Sequence, residues 1–400
     1  MKYVVLLGDG MSDEPVEALE GKTPLQAAAT PNMDRLAQQG EIGLAQTVPE
    51  GFRPGSDVAN LSVFGYDPRD CYTGRSPLEA ASMGVELGPD DVAFRLNLVH
   101  LAPHGFDLYM GDFSAGHIGT DQARQLILSL QEELGDEQFT FHPGISYRHL
   151  LVWHGGKEAL QTTPPHDITN QSVRNYLPQG DGADALIHLT TSAQMLLKRH
   201  PVNLKREDEG EVTANSIWLW GQGRPPAMQT YQQMLGLTGS VISAVDLIKG
   251  IGTYAGLKVI DVPGATGYLD TNYAGKASAT IEALADTDFV YLHVEAPDEA
   301  SHGGKLEDKL QAIEDFDAKI VGPVIEGLKQ YGDFRVLVLP DHPTPLHLMT
   351  HTSDAVPYIL YDSTGKVSGN GAKGYDEAQA KASGVIVDPG HELVRRMIES

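Results

Sequence analysis

Seven side chains of this sequence have the types and the spacing to hold metal ions beside a nucleophile. They are Asp9, Ser56, Asp298, His302, Asp341, His342 and His351. Asp298 and His302 are four residues apart, so on one helical turn both point to the same side and can share an ion. The adjacent pair Asp341 and His342 can diverge toward two ions on a turn. Carboxylate with imidazole suits Mn²⁺ or Zn²⁺ rather than Ca²⁺, and the set is about large enough for two ions.

Two ions in such a site would favour phosphoryl transfer, because they stabilise both the attacking and the leaving oxygen. Ser56 is the candidate nucleophile, since a serine at a helix N-terminus presents its hydroxyl to anions and a bound metal ion lowers its pKa. Structural explanations stay open beside this one. An aspartate after a strand is commonly a cap or turn residue, a histidine there is often structural, and Ser56 could be a helix N-cap.

The aspartates follow apolar runs that predict buried strands. These runs are Val4–Leu7, Phe289–Val294 and Arg335–Leu339. Helical periodicity covers roughly 305–330, and a further helix and strand are expected at 245–257 and 258–260. Strands that alternate with helices indicate an α/β fold with a mainly parallel sheet flanked by helices. Ligands of such sheets bind beyond the carboxyl ends of the strands, so we expect the three aspartates on one rim.

The middle of the chain is organised differently. From about residue 85 to 225, short strands, helices and proline-rich turns follow one another. We therefore expect a smaller α/β domain, residues 81–225, that is inserted into a discontinuous metal-binding core of residues 1–80 and 226–400. The inserted domain is predicted to bind the substrate.

Composition excludes several classes of function. The chain of 400 residues carries a formal net charge of −25, which disfavours nucleic acid and anionic membrane surfaces as partners. Cys71 is the one cysteine, so an intrachain disulfide or a cysteine-rich zinc site is excluded. Neither a signal peptide nor an apolar stretch of membrane-spanning length is evident, and we expect a cytoplasmic protein. The oligomeric state is left open.

Longer motifs around these residues resemble a known family. The motifs are Gly8-Asp9-Gly10-Met11, Pro54-Gly55-Ser56-Asp57-Val58-Ala59-Asn60-Leu61-Ser62, Gly65-Tyr66-Asp67-Pro68, Ile217-Trp218-Leu219-Trp220-Gly221-Gln222-Gly223, Val262-Pro263-Gly264-Ala265-Thr266-Gly267-Tyr268, His293-Val294-Glu295-Ala296-Pro297-Asp298-Glu299-Ala300 and Pro340-Asp341-His342-Pro343-Thr344-Pro345. Together they resemble the alkaline phosphatase superfamily and, more closely, the archaeal-type cofactor-independent phosphoglycerate mutases. The resemblance covers nearly the whole chain.

The resemblance implies an alkaline-phosphatase-like core and a role for each residue. Asp298, His302 and His351 would hold one metal ion, and Asp9, Ser56, Asp341 and His342 the other. Both ions would be divalent, with Mn²⁺ first and Zn²⁺, Co²⁺ or Mg²⁺ as alternatives. Ser56 would take the phosphoryl group as a phosphoserine while 3-phosphoglycerate and 2-phosphoglycerate interconvert, without bisphosphoglycerate.

Further residues are candidates for substrate binding, because an anionic substrate on so acidic a protein needs local positive charge. Arg148 and Arg224 could grip carboxylate or phosphate with two hydrogen bonds. Lys276 could hold phosphate from the core domain. His117 matches a position where the wider mutase family has a proton-shuttling or substrate-binding histidine.

Two other functions are compatible with the sequence. One is a metal-dependent phosphatase or phosphotransferase on the same core, since the archaeal-type family has been proposed to include homoserine kinase-like members. The other is a non-catalytic metal-binding scaffold. The complete set of a nucleophile and six further ligand positions argues against the scaffold, and the isomerase is the leading interpretation.

Overall fold

A computed structural model describes residues 1–399. The strands are β1 (Lys2–Gly8), β2 (Glu41–Ala45), β3 (Val92–His104), β4 (Asp107–Asp112), β5 (Phe139–Ile145), β6 (Arg148–Trp153), β7 (Leu160–Gln161), β8 (Gln179–Gly180), β9 (Ser216–Gly223), β10 (Gly239–Ile242), β11 (Lys258–Val259), β12 (Phe289–Val294), β13 (Phe334–Leu339), β14 (Val356–Asp362) and β15 (Ile386–Val387). The α-helices are α1 (Pro24–Ala27), α2 (Pro31–Gln39), α3 (Ser56–Val63), α4 (Pro68–Cys71), α5 (Arg75–Ser82), α6 (Thr120–Leu134), α7 (Ala183–Leu197), α8 (Pro201–Asp208), α9 (Tyr231–Leu235), α10 (Asp246–Tyr254), α11 (Tyr273–Ala283), α12 (Ala296–His302), α13 (Leu306–Phe316), α14 (Gly322–Leu328), α15 (Glu377–Ala382) and α16 (Glu392–Glu399).

The chain divides into two compact units, residues 1–72 with 227–400, and residues 73–226. The sequence placed the boundaries of the inserted domain at 80/81 and 225/226. That division into a metal-binding core and a substrate-binding domain stays a prediction. Each unit has its own sheet and its own apolar core.

The first unit is built on an eight-stranded sheet in the order β11-β10-β12-β1-β13-β14-β2-β15. Only β14 runs against the others, because it is antiparallel to both β13 and β2 while the remaining neighbours pair in parallel. The sheet is therefore mainly parallel, and the predicted fold class is confirmed.

The register of the three central strands decides where the site lies. Leu7 of β1 is opposite His293 of β12 on one side and Leu339 of β13 on the other. The carboxyl ends of these strands are consequently level. Every residue that follows them directly emerges on the same rim of the sheet, as expected for parallel strands.

One face of this sheet packs against helices. Val4 and Leu6 are fully buried in the same apolar cluster as Ile313 and Phe316 of α13. Alternate residues of a strand face opposite sides, and Val5 and Leu7 are fully buried as well. Burial on both faces is typical of a parallel sheet with helices on each side.

The second unit has a five-stranded antiparallel sheet. The order β4-β3-β6-β5 is extended by β9, which also pairs with β3. Helices α6 and α7 cover it, with Leu126 and Leu186 fully buried in one cluster with Phe94 and Leu96 of β3. Among residues 1–399, none of the helices combines the length and the apolar character that a membrane crossing requires.

Candidate active site

Loops and helix starts beyond β1, β12 and β13 bring the predicted metal ligands together. Asp9 follows β1 directly, Asp341 follows β13, and Asp298 lies in the first turn of α12, which starts after β12. All three are buried, with at most 3% of the residue exposed. Pro297 near the start of α12 is compatible with a first helical turn, where its missing N–H is not needed.

Ser56 is the first residue of α3, and Gly55 occupies the N-cap position. The serine is therefore not the N-cap, and its hydroxyl lies 3.2 Å from His342 Nε2. Asn60, one turn further along α3, donates from Nδ2 to the backbone oxygen of Ser56 and to Asp341 Oδ2, at 2.9 and 2.8 Å. The helix that carries the candidate nucleophile is thereby joined to a candidate metal ligand.

The carboxylate of Asp341 has a nearly complete set of donors. The backbone N–H groups of Gly10 and His342 donate to Oδ1, at 3.2 and 2.9 Å, while Oδ2 lies 3.3 Å from His342 Nε2. Asp9 Oδ1 lies 3.6 Å from the same nitrogen. Asp9, Asp341 and His342 thus converge on one point beside Ser56, and each offers an atom there within 4.8 Å of the others.

A second group converges around Asp298. His302 Nε2 lies 3.1 Å from Asp298 Oδ2 and 2.9 Å from His351 Nε2, and His351 Nε2 lies 3.6 Å from Asp298 Oδ1. His302 Nδ1 lies 2.9 Å from the carbonyl oxygen of Met349. A hydrogen bond at that nitrogen leaves Nε2 to face the other two side chains, as in many histidine metal ligands.

Burial and neighbouring charge explain the electrostatics of this rim. Burial raises the pKa of Asp9 well above its usual value, and the nearby charges of Asp341 and Asp298 raise it further. Burial alone would raise the pKa of Asp298, but hydrogen bonds with His302 and His351 bring it well below its usual value. The hydrogen bond with Asp298 raises the pKa of His302 to about 9. The rim therefore attracts positive charge, as a proton or as a cation.

The residues fit divalent metal ions. Asp9 Oδ1 is buried and has no hydrogen-bond partner, which is rare for a carboxylate oxygen in a protein interior. His302 and His351 turn ring nitrogens toward each other next to a carboxylate. Buried carboxylate oxygens and imidazole nitrogens that converge in this way are the donor set that Mn²⁺ and Zn²⁺ take.

In the second unit, His117 and Arg148 both lie near the ring of Tyr147. The His117 ring lies 6.0 Å from the Tyr147 ring, and the Arg148 guanidinium carbon lies 5.6 Å from the same ring. His117 and Ala115 both have φ near +50°, a region that costs energy for residues with a side chain and that recurs at functional loops. Both candidates for substrate binding are exposed.

Arg224 and Lys276 lie elsewhere. The Arg224 guanidinium contacts Glu158 and Asp90 and donates to the Gly156 oxygen. Gly156 follows the last residue of β6, whereas Arg148 is the first residue of that strand. Lys276 is completely buried on α11, where its Nζ donates to the His293 oxygen, and burial lowers its pKa to about 8. The Arg224 side chain is thus engaged by acidic neighbours, and the Lys276 side chain reaches no surface of the first unit.

Several polar residues around the site were missed by the sequence reasoning. Tyr291 donates to Asn60 Oδ1 at 2.6 Å, His293 Nε2 lies 2.9 Å from Asp9 Oδ2, and Thr344 contacts both Asp298 and His342. For Tyr291 and His293, the available signal was a polar residue inside the otherwise apolar strand β12. The same signal marks Arg95 in β3, whose guanidinium stacks 4.5 Å from the Trp220 ring and pairs with Glu79.

The fold and the site define an α/β protein whose sheet rim carries a cluster of buried carboxylates and histidines beside the hydroxyl of Ser56. A family model for 2,3-bisphosphoglycerate-independent phosphoglycerate mutase matches residues 37–203. The chain is 60% identical, over 400 residues and 100% of both chains, to a Geobacter sulfurreducens protein named "Probable 2,3-bisphosphoglycerate-independent phosphoglycerate mutase". It is 53% identical to the 2,3-bisphosphoglycerate-independent phosphoglycerate mutase of Methanosarcina acetivorans, again over 100% of both.

A solved structure matches the whole fold. The PH0037 protein from Pyrococcus horikoshii superposes with a TM-score of 0.83 at 29% identity, over 100% of this chain and 96% of that one. The chain belongs to the 2,3-bisphosphoglycerate-independent phosphoglycerate mutase family, and the family recognised from its motifs is confirmed. Phosphoglycerate mutases are isomerases, so the predicted enzyme class is confirmed as well.

Proposed function

We propose that the protein interconverts 3-phosphoglycerate and 2-phosphoglycerate without bisphosphoglycerate, through a phosphoserine at Ser56. Membership in the mutase family supports the reaction. The observation that carries the phosphoserine is the position of the Ser56 hydroxyl, 3.2 Å from His342 Nε2 and at the head of a helix. A helix N-terminus favours an incoming anion.

We propose two divalent metal ions as cofactors, with Mn²⁺ first and Zn²⁺, Co²⁺ or Mg²⁺ as alternatives. Asp298, His302 and His351 would hold one of them. The second would be held by Asp9, Ser56, Asp341 and His342. When bound, such ions withdraw charge from phosphoryl oxygens and lower the pKa of a coordinated hydroxyl.

The Ser56 hydroxyl supplies the group that receives the phosphoryl. Its Oγ loses its proton and forms a bond to phosphorus, the bond between phosphorus and O3 of the glycerate breaks, and O3 takes up a proton. In the second half, the O2 hydroxyl of the same glycerate loses its proton and O2 forms a bond to phosphorus, the Oγ–phosphorus bond breaks, and Oγ takes up a proton. Protons and phosphoryl groups balance over the cycle, and water is not consumed.

Positive side chains of the second unit would hold the substrate, which carries about three negative charges on a protein of net charge −25. Arg148 is exposed beside Tyr147 and can grip a carboxylate or phosphate through two N–H groups. His117, whose ring lies 6.0 Å from the same Tyr147 ring, is the candidate to carry the proton between the two oxygens.

The reaction is tested with purified protein, 3-phosphoglycerate and Mn²⁺, by ³¹P NMR. Formation of 2-phosphoglycerate in the absence of bisphosphoglycerate supports the proposal. Release of inorganic phosphate without 2-phosphoglycerate would instead establish the phosphatase, and transfer to an added alcohol acceptor would establish the phosphotransferase. Either of these results would refute the isomerase reaction.

The phosphoserine is tested with a matched pair of variants. Ser56→Ala should lower the rate by at least about a thousandfold, because the phosphoryl acceptor is lost. Ser62→Ala on the same helix removes a buried hydroxyl that has no hydrogen-bond partner, and should leave the rate close to wild type. Acid-quenched wild-type protein should carry a phosphoryl group on the peptide that contains Ser56. Full activity of Ser56→Ala would remove this serine from the mechanism.

A further inference from the structure

Thr344 contacts the two halves of the candidate site at once. It is completely buried, and its Oγ1 lies 2.5 Å from Asp298 Oδ1 and 3.2 Å from His342 Nδ1. Asp298 is a candidate ligand of one metal ion and His342 of the other. A single hydroxyl therefore joins side chains that would hold different ions.

The backbone holds this hydroxyl in place. The Thr344 N–H donates to the Ser12 oxygen at 3.1 Å, and its carbonyl oxygen accepts from Lys309 Nζ at 2.9 Å. Gly10 makes room for it, because a Cβ at that position would lie 2.7 Å from Thr344 Oγ1. Because both backbone groups of Thr344 are hydrogen-bonded, its hydroxyl has little freedom to move away.

Counting protons fixes the direction of both hydrogen bonds. An ionised carboxylate only accepts, so at 2.5 Å the hydroxyl proton of Thr344 must point to Asp298. The hydroxyl has one proton, so toward His342 its oxygen accepts. His342 Nδ1 then carries a proton, and its Nε2 keeps a free lone pair. That Nε2 is the atom that faces Ser56 Oγ and the two aspartates.

We propose that Thr344 is a positioning residue that holds His342 in the tautomer with a bare Nε2 and orients Asp298, and so couples the two metal positions. The proposal rests on the two-metal site proposed above. Hydrogen-bond partners behind metal ligands typically change metal affinity by about 10–100-fold when they are removed.

The experiment compares Thr344→Val, Thr344→Ser and a control, Thr280→Val. Valine keeps the shape and loses the hydroxyl, whereas serine keeps the hydroxyl. Thr280 is also completely buried in the first unit, and its hydroxyl contacts only a backbone oxygen of its own helix. The control therefore reports what the exchange of a buried hydroxyl for a methyl group does to folding.

Two readouts need no substrate. The first is ¹⁵N NMR of histidine-labelled metal-free protein, with the His342 signals assigned from their loss in His342→Asn. The second is calorimetric titration with Mn²⁺. Wild type, Thr344→Ser and Thr280→Val should show a protonated Nδ1 at His342 and bind two ions. Thr344→Val should lose that tautomer and bind Mn²⁺ at least about tenfold more weakly.

An unchanged tautomer and unchanged Mn²⁺ affinity in Thr344→Val would overturn the proposal. Loss of either property in Thr344→Ser would overturn it too, so the test remains decisive if the valine variant does not fold. Failure of the mutase reaction in the wild type would leave both readouts measurable. The two proposals can therefore fail separately.

Discussion

Replacing Gly10 with alanine tests how closely the rim of the sheet is packed. Gly10 has φ of +61°, and a Cβ there would lie 2.5 Å from Asp298 Oδ1 and 2.9 Å from the Asp298 Cα. A left-handed backbone costs a residue with a side chain about 1–2 kcal/mol, and the overlap with a backbone atom that cannot simply rotate away adds about 1–3 kcal/mol. We expect the free energy of unfolding to fall by about 2–5 kcal/mol.

Gly384→Ala is the matched control, because Gly384 has φ of +71° and open space where its Cβ would lie. It should lose only the backbone part, about 1–2 kcal/mol. Urea denaturation of both metal-free variants measures the two costs, and their difference isolates the overlap. The Gly10 variant should also bind Mn²⁺ more weakly, since its methyl group displaces Asp298. Equal stability of the two variants, with normal Mn²⁺ binding by Gly10→Ala, would refute the packing of this rim.

Three further predictions concern hydrogen bonds, pH and substrate binding. Tyr291→Phe leaves the buried Asn60 Oδ1 without its donor, so it should cost about 1–3 kcal/mol of stability and lower kcat more than KM. The control Tyr231→Phe, which loses a buried hydroxyl bonded to the Phe64 oxygen, should cost stability alone, and equal kcat in the two variants would argue against a positioning role. Burial lowers the pKa of His149 to about 3 from its usual 6.5, so the unfolded chain takes up the proton first and the free energy of unfolding falls as pH drops from about 6.5 toward 3. Denaturation of His149→Gln across that range should show a slope smaller by up to about 1.4 kcal/mol per pH unit, whereas an unchanged slope would contradict the assignment. Arg148→Lys should raise KM for 3-phosphoglycerate by about 10–100-fold, because lysine cannot make the paired hydrogen bonds, and an unchanged KM would exclude Arg148 from substrate binding.

The sequence predicted the strands of the rim because their signal is local. Apolar runs at 4–7, 289–294 and 335–339 lie inside β1, β12 and β13, and strands of this kind pair in parallel with level ends. An aspartate that follows such a strand lies at the carboxyl edge of the sheet, because parallel strands end on the same side. The convergence of Asp9, Asp298 and Asp341 could therefore be expected before any coordinates.

Contacts between residues far apart in the sequence could not be predicted from local patterns. The helix predicted over 305–330 is divided by a π-helical segment, Asp317–Val321, between α13 and α14. At that point the Asp317 carboxylate accepts from the backbone N–H groups of Asn32 and Met33 in the first turn of α2. A contact between residues almost 300 positions apart leaves no trace in local periodicity.

Burial of polar side chains was equally hidden. Lys276 lies four residues after the N-cap Asn272, and a lysine is expected to be exposed. In the structure α11 buries its side chain, and Nζ donates to the backbone oxygen of His293. The hydrogen bonds of Thr344, Asn60 and Tyr291 depend on which strands become neighbours. The residue types indicated which hydrogen bonds these side chains could make, but only the pairing of the strands decided their partners.

Anomalous diffraction at the manganese edge, from crystals grown with Mn²⁺ and 3-phosphoglycerate, addresses the paired ions around Ser56 most directly. We predict two peaks, one within coordination distance of Asp9, Asp341, His342 and Ser56, and the other within coordination distance of Asp298, His302 and His351. A single peak, or peaks distant from Ser56, would contradict this prediction.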